Sequence, residues 1–232
     1  MKIPILMYHS ISDGENPLSV SLSKFDKQMK FMNHNGYKTI KLNNLSNLYE
    51  GKYFIITFDD GYEDVFKNAL PILKKYNFTA TCFFVSNYIG KYNIWDENKK
   101  NFSKLNLMNK DQISIWINSN MDVGSHTSDH KNLVELNYNE KYSQITKPKK
   151  KFNDIFSINI DTFSYPYGSL DDESFEIVKN NYSFAVTTSR SRFFFNKFEN
   201  CKLPRVPVNK TDSIFKFYLK INTIYEDIKF KN

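Results

Sequence analysis

Two carboxylates stand side by side at Asp59 and Asp60, directly after the β-prone run Tyr53-Phe54-Ile55-Ile56-Thr57-Phe58 and just before Gly61. Acids held that close cannot both stay ionised cheaply unless they share a proton or a cation neutralises one of them. Gly61 lets the backbone turn sharply after the pair. If the run is a buried strand, the pair sits at its carboxyl end, where α/β folds place their active sites. The tripeptide alone says little, since Asp-Asp-Gly also makes ordinary surface turns.

A second group, Ser125-His126-Thr127-Ser128-Asp129-His130, follows Val123-Gly124. Histidines four apart share one side of a helix or a tight loop and can meet one ion there. Thr127 stands where a zincin helix carries its glutamate, so that motif is excluded. By themselves the two histidines could equally hydrogen-bond a loop. With Asp60 they make a set of two histidines and one carboxylate, which leaves positions open for water and substrate and suits zinc, iron or cobalt. A third stretch, Asp161-Thr162-Phe163-Ser164-Tyr165-Pro166-Tyr167-Gly168, is a strand broken by proline and glycine into a loop at the same end of the sheet. Alone it reads as a turn with structural tyrosines.

These groups need a frame to bring them together. Runs rich in β-formers alternate with helical patterns up to about Val208, the signature of βα units. Strands are expected at 4–8, 37–40, 53–58, 80–85, 121–124, 162–165, 184–188 and 203–208. Helices are expected at 23–33, 63–76, 111–118, 139–156 and 171–180, with a C-terminal helix at about 210–230. Ser23 and Asp171 are candidate N-caps and Gly36 a C-cap glycine. Seven or eight strands with helices between them favour a barrel over an open sheet. Neither an internal repeat nor a Pro/Gly/Ser linker divides the chain, so one domain is expected over 1–232, with its core at about 3–208. Segment 90–107 has the length and composition of a surface loop that shapes a substrate cleft. The basic run Lys147-Pro148-Lys149-Lys150-Lys151 reads as a solvated helix face, with an anion or membrane contact as the alternative, and Phe193-Phe194-Phe195 as core, with an exposed binding edge as the alternative.

Composition narrows the classes. With 232 residues, 41% hydrophobic and 25% charged, the chain can bury one sizeable core. No run approaches the roughly 18 apolar residues of a membrane span, and the apolar start is too short for a signal peptide. The expected place is therefore the cytoplasm, including the inner face of the membrane. A net charge of +7 permits attraction to nucleic acid, anionic lipid or an acidic glycan without choosing among them. Cys82 and Cys201 are far apart and form no CxxC, which excludes a disulfide framework and a cysteine-zinc site. Cys82, in Thr81-Cys82-Phe83-Phe84-Val85, reads as a buried, inert thiol.

Thr57-Phe58-Asp59-Asp60-Gly61-Tyr62, His126-Thr127-Ser128-Asp129-His130 and Tyr165-Pro166-Tyr167-Gly168, in that order and spacing, resemble the first three motifs of the polysaccharide deacetylases, carbohydrate esterase family four. The resemblance spans about 3–208. It implies an α/β fold, a distorted TIM-like (β/α)7 barrel, and metal-dependent removal of acetyl groups from N-acetylated sugars. It further implies Asp59 as general base, Asp60, His126 and His130 as ligands of one divalent metal ion, and a backbone N–H at Tyr167 for the oxyanion. Zinc is the default ion from ligand type, with cobalt, nickel and iron(II) as alternatives.

There are two departures. Ser164 stands where the family usually carries arginine, and no histidine follows His130 to serve as a C-terminal general acid. The opening Pro4-Ile5-Leu6-Met7-Tyr8-His9-Ser10-Ile11 resembles the start of the circularly permuted subgroup that includes the poly-β-1,6-N-acetylglucosamine deacetylases. In that subgroup the acid histidine lies on the N-terminal strand, which makes His9 the candidate acid. Leu203-Pro204-Arg205 also resembles that subgroup, and Arg205 is the candidate to supply the guanidinium missing at Ser164. His34, before Asn35-Gly36, reads as a capping or surface residue.

The reaction implied is hydrolysis of the N-acetyl group of a hexosamine in a glycan, a lipid-linked or a nucleotide-linked sugar. The partner is that substrate, not nucleic acid; no membrane span is expected, with peripheral contact to anionic lipid or a lipid-linked substrate allowed. Deformylation and O-acetyl ester hydrolysis are the near alternatives on the same scaffold. A glycan-binding module without catalysis is the distant one.

Overall fold

The computed structural model describes residues 2–45, 49–100, 102–194 and 197–230. Seven strands run parallel: β1 (Ile5–Tyr8), β2 (Tyr53–Phe58), β3 (Thr81–Phe84), β4 (Asp122–Ser125), β5 (Thr162–Ser164), β6 (Phe184–Arg190) and β7 (Leu203–Pro207). Each pairs with the next in chain order, and β7 returns to β1 through Val206 opposite Leu6, so the sheet closes into a barrel.

The alternation of side chains along a strand sorts the residues of each stave. Phe54, Ile56 and Phe58 of β2 face outward, in the cluster that also holds Phe25, Met29 and Trp116. Ile55 faces inward with Ile3, Ile5, Phe83, Val186, Phe193 and Leu203. Because both faces are covered, Tyr53–Phe58 is almost continuously apolar. Continued by two residues at a time, the inner face of β2 runs Ile55, Thr57, Asp59, which lifts the first carboxylate to the carboxyl-terminal mouth of the barrel.

The helices are α1 (Leu22–His34), α2 (Leu70–Lys75), α3 (Lys110–Asn118), α4 (Tyr138–Phe156), α5 (Asp172–Asn181) and α6 (Ile214–Asn222). Asp171 caps α5 as the sequence indicates, and Gly36 follows α1 at φ +74°. Ser21, not Ser23, caps α1, its hydroxyl accepting from the Lys24 N–H.

Other expectations are corrected. The strand expected at 37–40 shrinks to Lys38–Thr39 against the foot of β2 and is not a stave of the barrel. The helix expected at 63–76 contains a π-helical turn, Val65–Ala69, before α2 begins. Pro71, which has no N–H to give, stands just after that irregularity. The C-terminal helix is α6 alone, followed by a 3-10 turn at Asp227–Phe230. The basic run of α4 is only partly solvated: Lys149 reaches the Asn181 carbonyl and Lys151 donates to Asn87 at 2.8 Å. Phe193 is buried where Phe193–Phe194 pairs antiparallel with Lys2–Ile3, while Phe195 lies outside the described residues. Both cysteines are free and buried. Among the described residues no helix is long and apolar enough to cross a membrane.

Candidate metal and catalytic site

Left-handed backbone puts the candidate ligands in place. Directly after β2, Asp60 takes φ +72° and Gly61 φ +76°. Only glycine fits at 61, where a Cβ would lie 2.5 Å from the Phe84 ring. Directly after β4, Thr127 (φ +66°) and His130 (φ +58°) curl the chain, and the His130 N–H donates to Thr127 Oγ1 at 3.0 Å. The two histidines therefore meet across a tight loop rather than along a helix. Left-handed non-glycine residues are costly, by about 1–3 kcal/mol each, and persist where the surroundings hold them.

His126 Nε2 lies 3.5 Å and His130 Nε2 3.2 Å from the same oxygen, Asp60 Oδ1. All three residues are buried, and their ligand atoms lie within 4.8 Å of one another. The Nδ1 of His126 faces the Ser164 carbonyl at 2.7 Å, so it carries the proton and leaves Nε2 as an acceptor. The His130 ring stacks on Trp95 with centroids 4.7 Å apart, and its Nδ1 is 3.2 Å from Tyr167 Oη.

Asp60 Oδ1 itself is buried without a hydrogen-bond partner. An unpartnered carboxylate oxygen facing two imidazole nitrogens, one with its other nitrogen anchored on a carbonyl, fits a divalent cation. Burial raises the pKa of Asp60, but the two histidines outweigh it and hold the group well below the usual carboxylate range. Burial lowers both imidazoles; the Asp60 contact and nearby acids reverse this at His126, whereas His130 stays below its ordinary value.

Asp59 is built differently. It is 3% exposed, and Arg205, fully buried, grips it with Nη1 on Oδ1 and Nη2 on Oδ2, both at 2.7 Å. The same guanidinium donates to Thr57 Oγ1 and Ser164 Oγ at 3.2 Å and, through Nε, to the Thr187 carbonyl at 2.9 Å. That carbonyl lies where the β6–β7 register slips between Val186 and Arg190, and such a bulge re-aims backbone groups. The small Ser164 side chain thus meets a guanidinium that arrives from β7. Burial raises the Asp59 pKa, and the charge and hydrogen bonds of Arg205 bring it below its ordinary value.

On the other side His9 Nε2 stands 3.9 Å from Asp59 Oδ2, with its side chain 20% exposed. Tyr167, at φ +61° in the turn Pro166–Gly168, is half exposed beside His130. The structure therefore gathers Asp59, Asp60, His126, His130, His9, Arg205 and Tyr167 at one mouth.

Trp95 was not singled out by its sequence. It belongs to segment 90–107, whose described residues form a wall rather than a free loop: buried Asn93 accepts from the Leu105 N–H and donates to Asp96 and the Ser103 carbonyl. A tryptophan within an asparagine- and lysine-rich stretch is the only sequence signal. Beside it, a groove of about 540 Å³ lined by Trp95, Lys99, Lys131, Glu135 and Tyr167 opens next to His130.

Fold and site together define a class: a distorted (β/α)7 barrel with an Asp-His-His cluster at its carboxyl-terminal mouth. The chain belongs to the polysaccharide deacetylase family, whose model matches residues 47–183. It is 34% identical over 195 residues to the YxkH protein of Bacillus subtilis (strain 168), a match that covers 81% of this chain and 64% of that one. It is 28% identical over 239 residues to the poly-β-1,6-N-acetyl-D-glucosamine N-deacetylase of Staphylococcus aureus (strain MRSA252), covering 93% of this chain and 76% of that one. The Streptococcus pyogenes deacetylase PplD, solved in complex with acetate, superimposes with a TM-score of 0.82 at 25% identity, covering 96% of this chain and 99% of that one.

Proposed function

We propose that the protein is a metal-dependent N-deacetylase that hydrolyses the N-acetyl group of a hexosamine in a glycan. The observation that carries this reading is Asp59, clamped by Arg205 on one side and 3.9 Å from His9 on the other, next to the Asp60-His126-His130 cluster. Asp60, His126 and His130 would hold a divalent ion, zinc by ligand type, which would supply Lewis acidity to the amide carbonyl and to water. Asp59, kept ionised by Arg205, accepts a proton from the attacking water. Protonated His9 gives a proton to the departing amine, so acetate and a free amino sugar leave. The left-handed turn at Tyr167 offers its N–H to the developing oxyanion.

Two relatives support the chemistry. The S. aureus protein bears the name of an N-deacetylase for a β-1,6-linked N-acetylglucosamine polymer, and PplD holds acetate, the product expected here.

The test is acetate release from β-1,6-linked N-acetylglucosamine oligomers, together with elemental analysis. We expect one metal per chain, lost in His126→Ala and in His130→Ala. In Asp59→Asn the metal should stay while turnover falls by roughly 100-fold or more, the usual contribution of general base catalysis. Metal retained in both histidine variants, or lost in Asp59→Asn, would overturn the assignment of roles.

A further inference from the structure

The loop after β2 grips the backbone on both flanks of His9. On the near side, the Asp59 N–H donates to the Tyr8 carbonyl at 3.0 Å. On the far side, the Asp64 carboxylate accepts the Ser10 hydroxyl at 2.6 Å and the Ile11 N–H at 3.0 Å. One helical turn on, Asn68 Nδ2 donates to the Ile11 carbonyl at 2.7 Å. Ser10 and Ile11 also pair with Ser19 and Val20, and Ser10 Oγ lies 2.8 Å from Ser19 Oγ.

Hydrogen bonds to an ionised acceptor are shorter and stronger than neutral ones, and here a carboxylate is committed to one hydroxyl and one amide. Neither donor lines the Asp60-His126-His130 cluster. What they flank is the residue between the two grips, whose ring must stay near Asp59 without a hydrogen bond to the ring among the described residues.

We propose that Asp64 is a positioning residue for His9: by fixing Ser10 and Ile11 it holds the histidine ring over Asp59. The inference rests on the reading of His9 as the general acid. It assigns a task to the last acidic residue of Asp59-Asp60-Gly61-Tyr62-Glu63-Asp64, so that one turn carries the base, a metal ligand and the anchor for the acid.

Three variants of the metal-loaded protein test it: Asp64→Ala, Asp64→Asn and His9→Ala. Asp64→Ala should lower kcat on N-acetylglucosamine oligomers by roughly 10-fold, part of the 10²–10⁴ that a positioned acid contributes, with KM within about twofold. Asp64→Asn still accepts from Ile11 through Oδ1 and can donate to Ser10, so it should recover most of that loss. The double variant His9→Ala/Asp64→Ala should be no slower than His9→Ala. In the ¹⁵N spectrum of the histidine side chains, Asp64→Ala should move the His9 signals and leave those of His126 and His130 in place. Losses that multiply in the double variant, or a His9 signal that does not move, would overturn the proposal. If the wild-type protein released no acetate, the deacetylase reading would fall, while the spectrum would still decide whether Asp64 holds His9.

Discussion

Arg205 is a guanidinium with no exposed surface and both oxygens of one carboxylate in its fork. Removing one partner of a buried ion pair costs about 3–5 kcal/mol, because the other charge is left without water or partner. Arg205→Ala should therefore be strongly destabilised in urea titrations. Arg205→Lys keeps a charge but cannot make the fork. Since Arg205 lowers the Asp59 pKa, the sign is fixed: with lysine at 205 Asp59 takes up its proton at higher pH, and the acid limb of the pH–rate profile moves upward in pH. A limb that stays in place would separate Asp59 from the base role. At this scale the sequence exposed Asp59, Asp60, His126 and His130 through their motifs, and His9 and Arg205 through resemblance. Asp64 stayed hidden because its partner Ile11 is 53 positions away and only the barrel brings them together.

Elements translate these residues into positions. The Asp59-Asp60-Gly61 turn works only because position 61 lacks a Cβ: at φ +76° an alanine would be strained and would also overlap Phe84 at 2.5 Å. Gly61→Ala should lose about 2–3 kcal/mol, or roughly 5–10 °C in melting temperature for a chain this long. The wall 90–107 acts through Trp95, whose ring lies at 4.7 Å and 20° to that of His130. If His130 is a metal ligand as proposed, Trp95→Ala frees its ring to turn, and loss of the hydrogen-bonding contacts that orient such ligands typically costs 10–100-fold in metal affinity. A competition titration with a chelator should show weaker binding of roughly that size, with the fold intact. Element types followed from periodicity: all seven staves of the barrel, and the helices expected at 23–33, 111–118, 139–156 and 171–180, stand within two residues of their places. The π-helical turn at Val65–Ala69 did not show, because a one-residue insertion leaves the apolar spacing nearly unchanged. Trp95 did not show because a wall held by Asn93 and by isolated backbone bridges such as Tyr92 with Asn106 has no period at all.

Across the whole molecule the two ends of the chain are tied. Asp227 accepts from Lys2 at 2.8 Å and from Arg192 Nη2 at 2.6 Å. Burial raises its pKa, while the Arg192 and Lys2 contacts bring it down to about 2. A carboxylate whose folded pKa is depressed adds stability that is present in full above its unfolded pKa near 4 and is lost as pH falls toward 2. Asp227→Asn should thus be less stable than wild type by about 1–2 kcal/mol at pH 7, after allowance for solvent screening. The gap should close between pH 4 and pH 2 in urea titrations. A gap independent of pH would mean that the contact acts through shape and not through charge.

The seam between β1 and β7 also decides when this site can come into being. Arg205 lies 146 positions after its partner Asp59 and stands on the last stave in chain order. On a ribosome adding roughly 5–20 residues per second, the aspartates emerge about 7–30 seconds before that arginine does. Throughout that interval the nascent chain has an open edge on β1 and a carboxylate waiting for its counter-charge. Closure of the barrel through β7 and the Arg205 clamp on Asp59 both depend on that one strand. The clamped form of Asp59 therefore requires that translation has delivered β7.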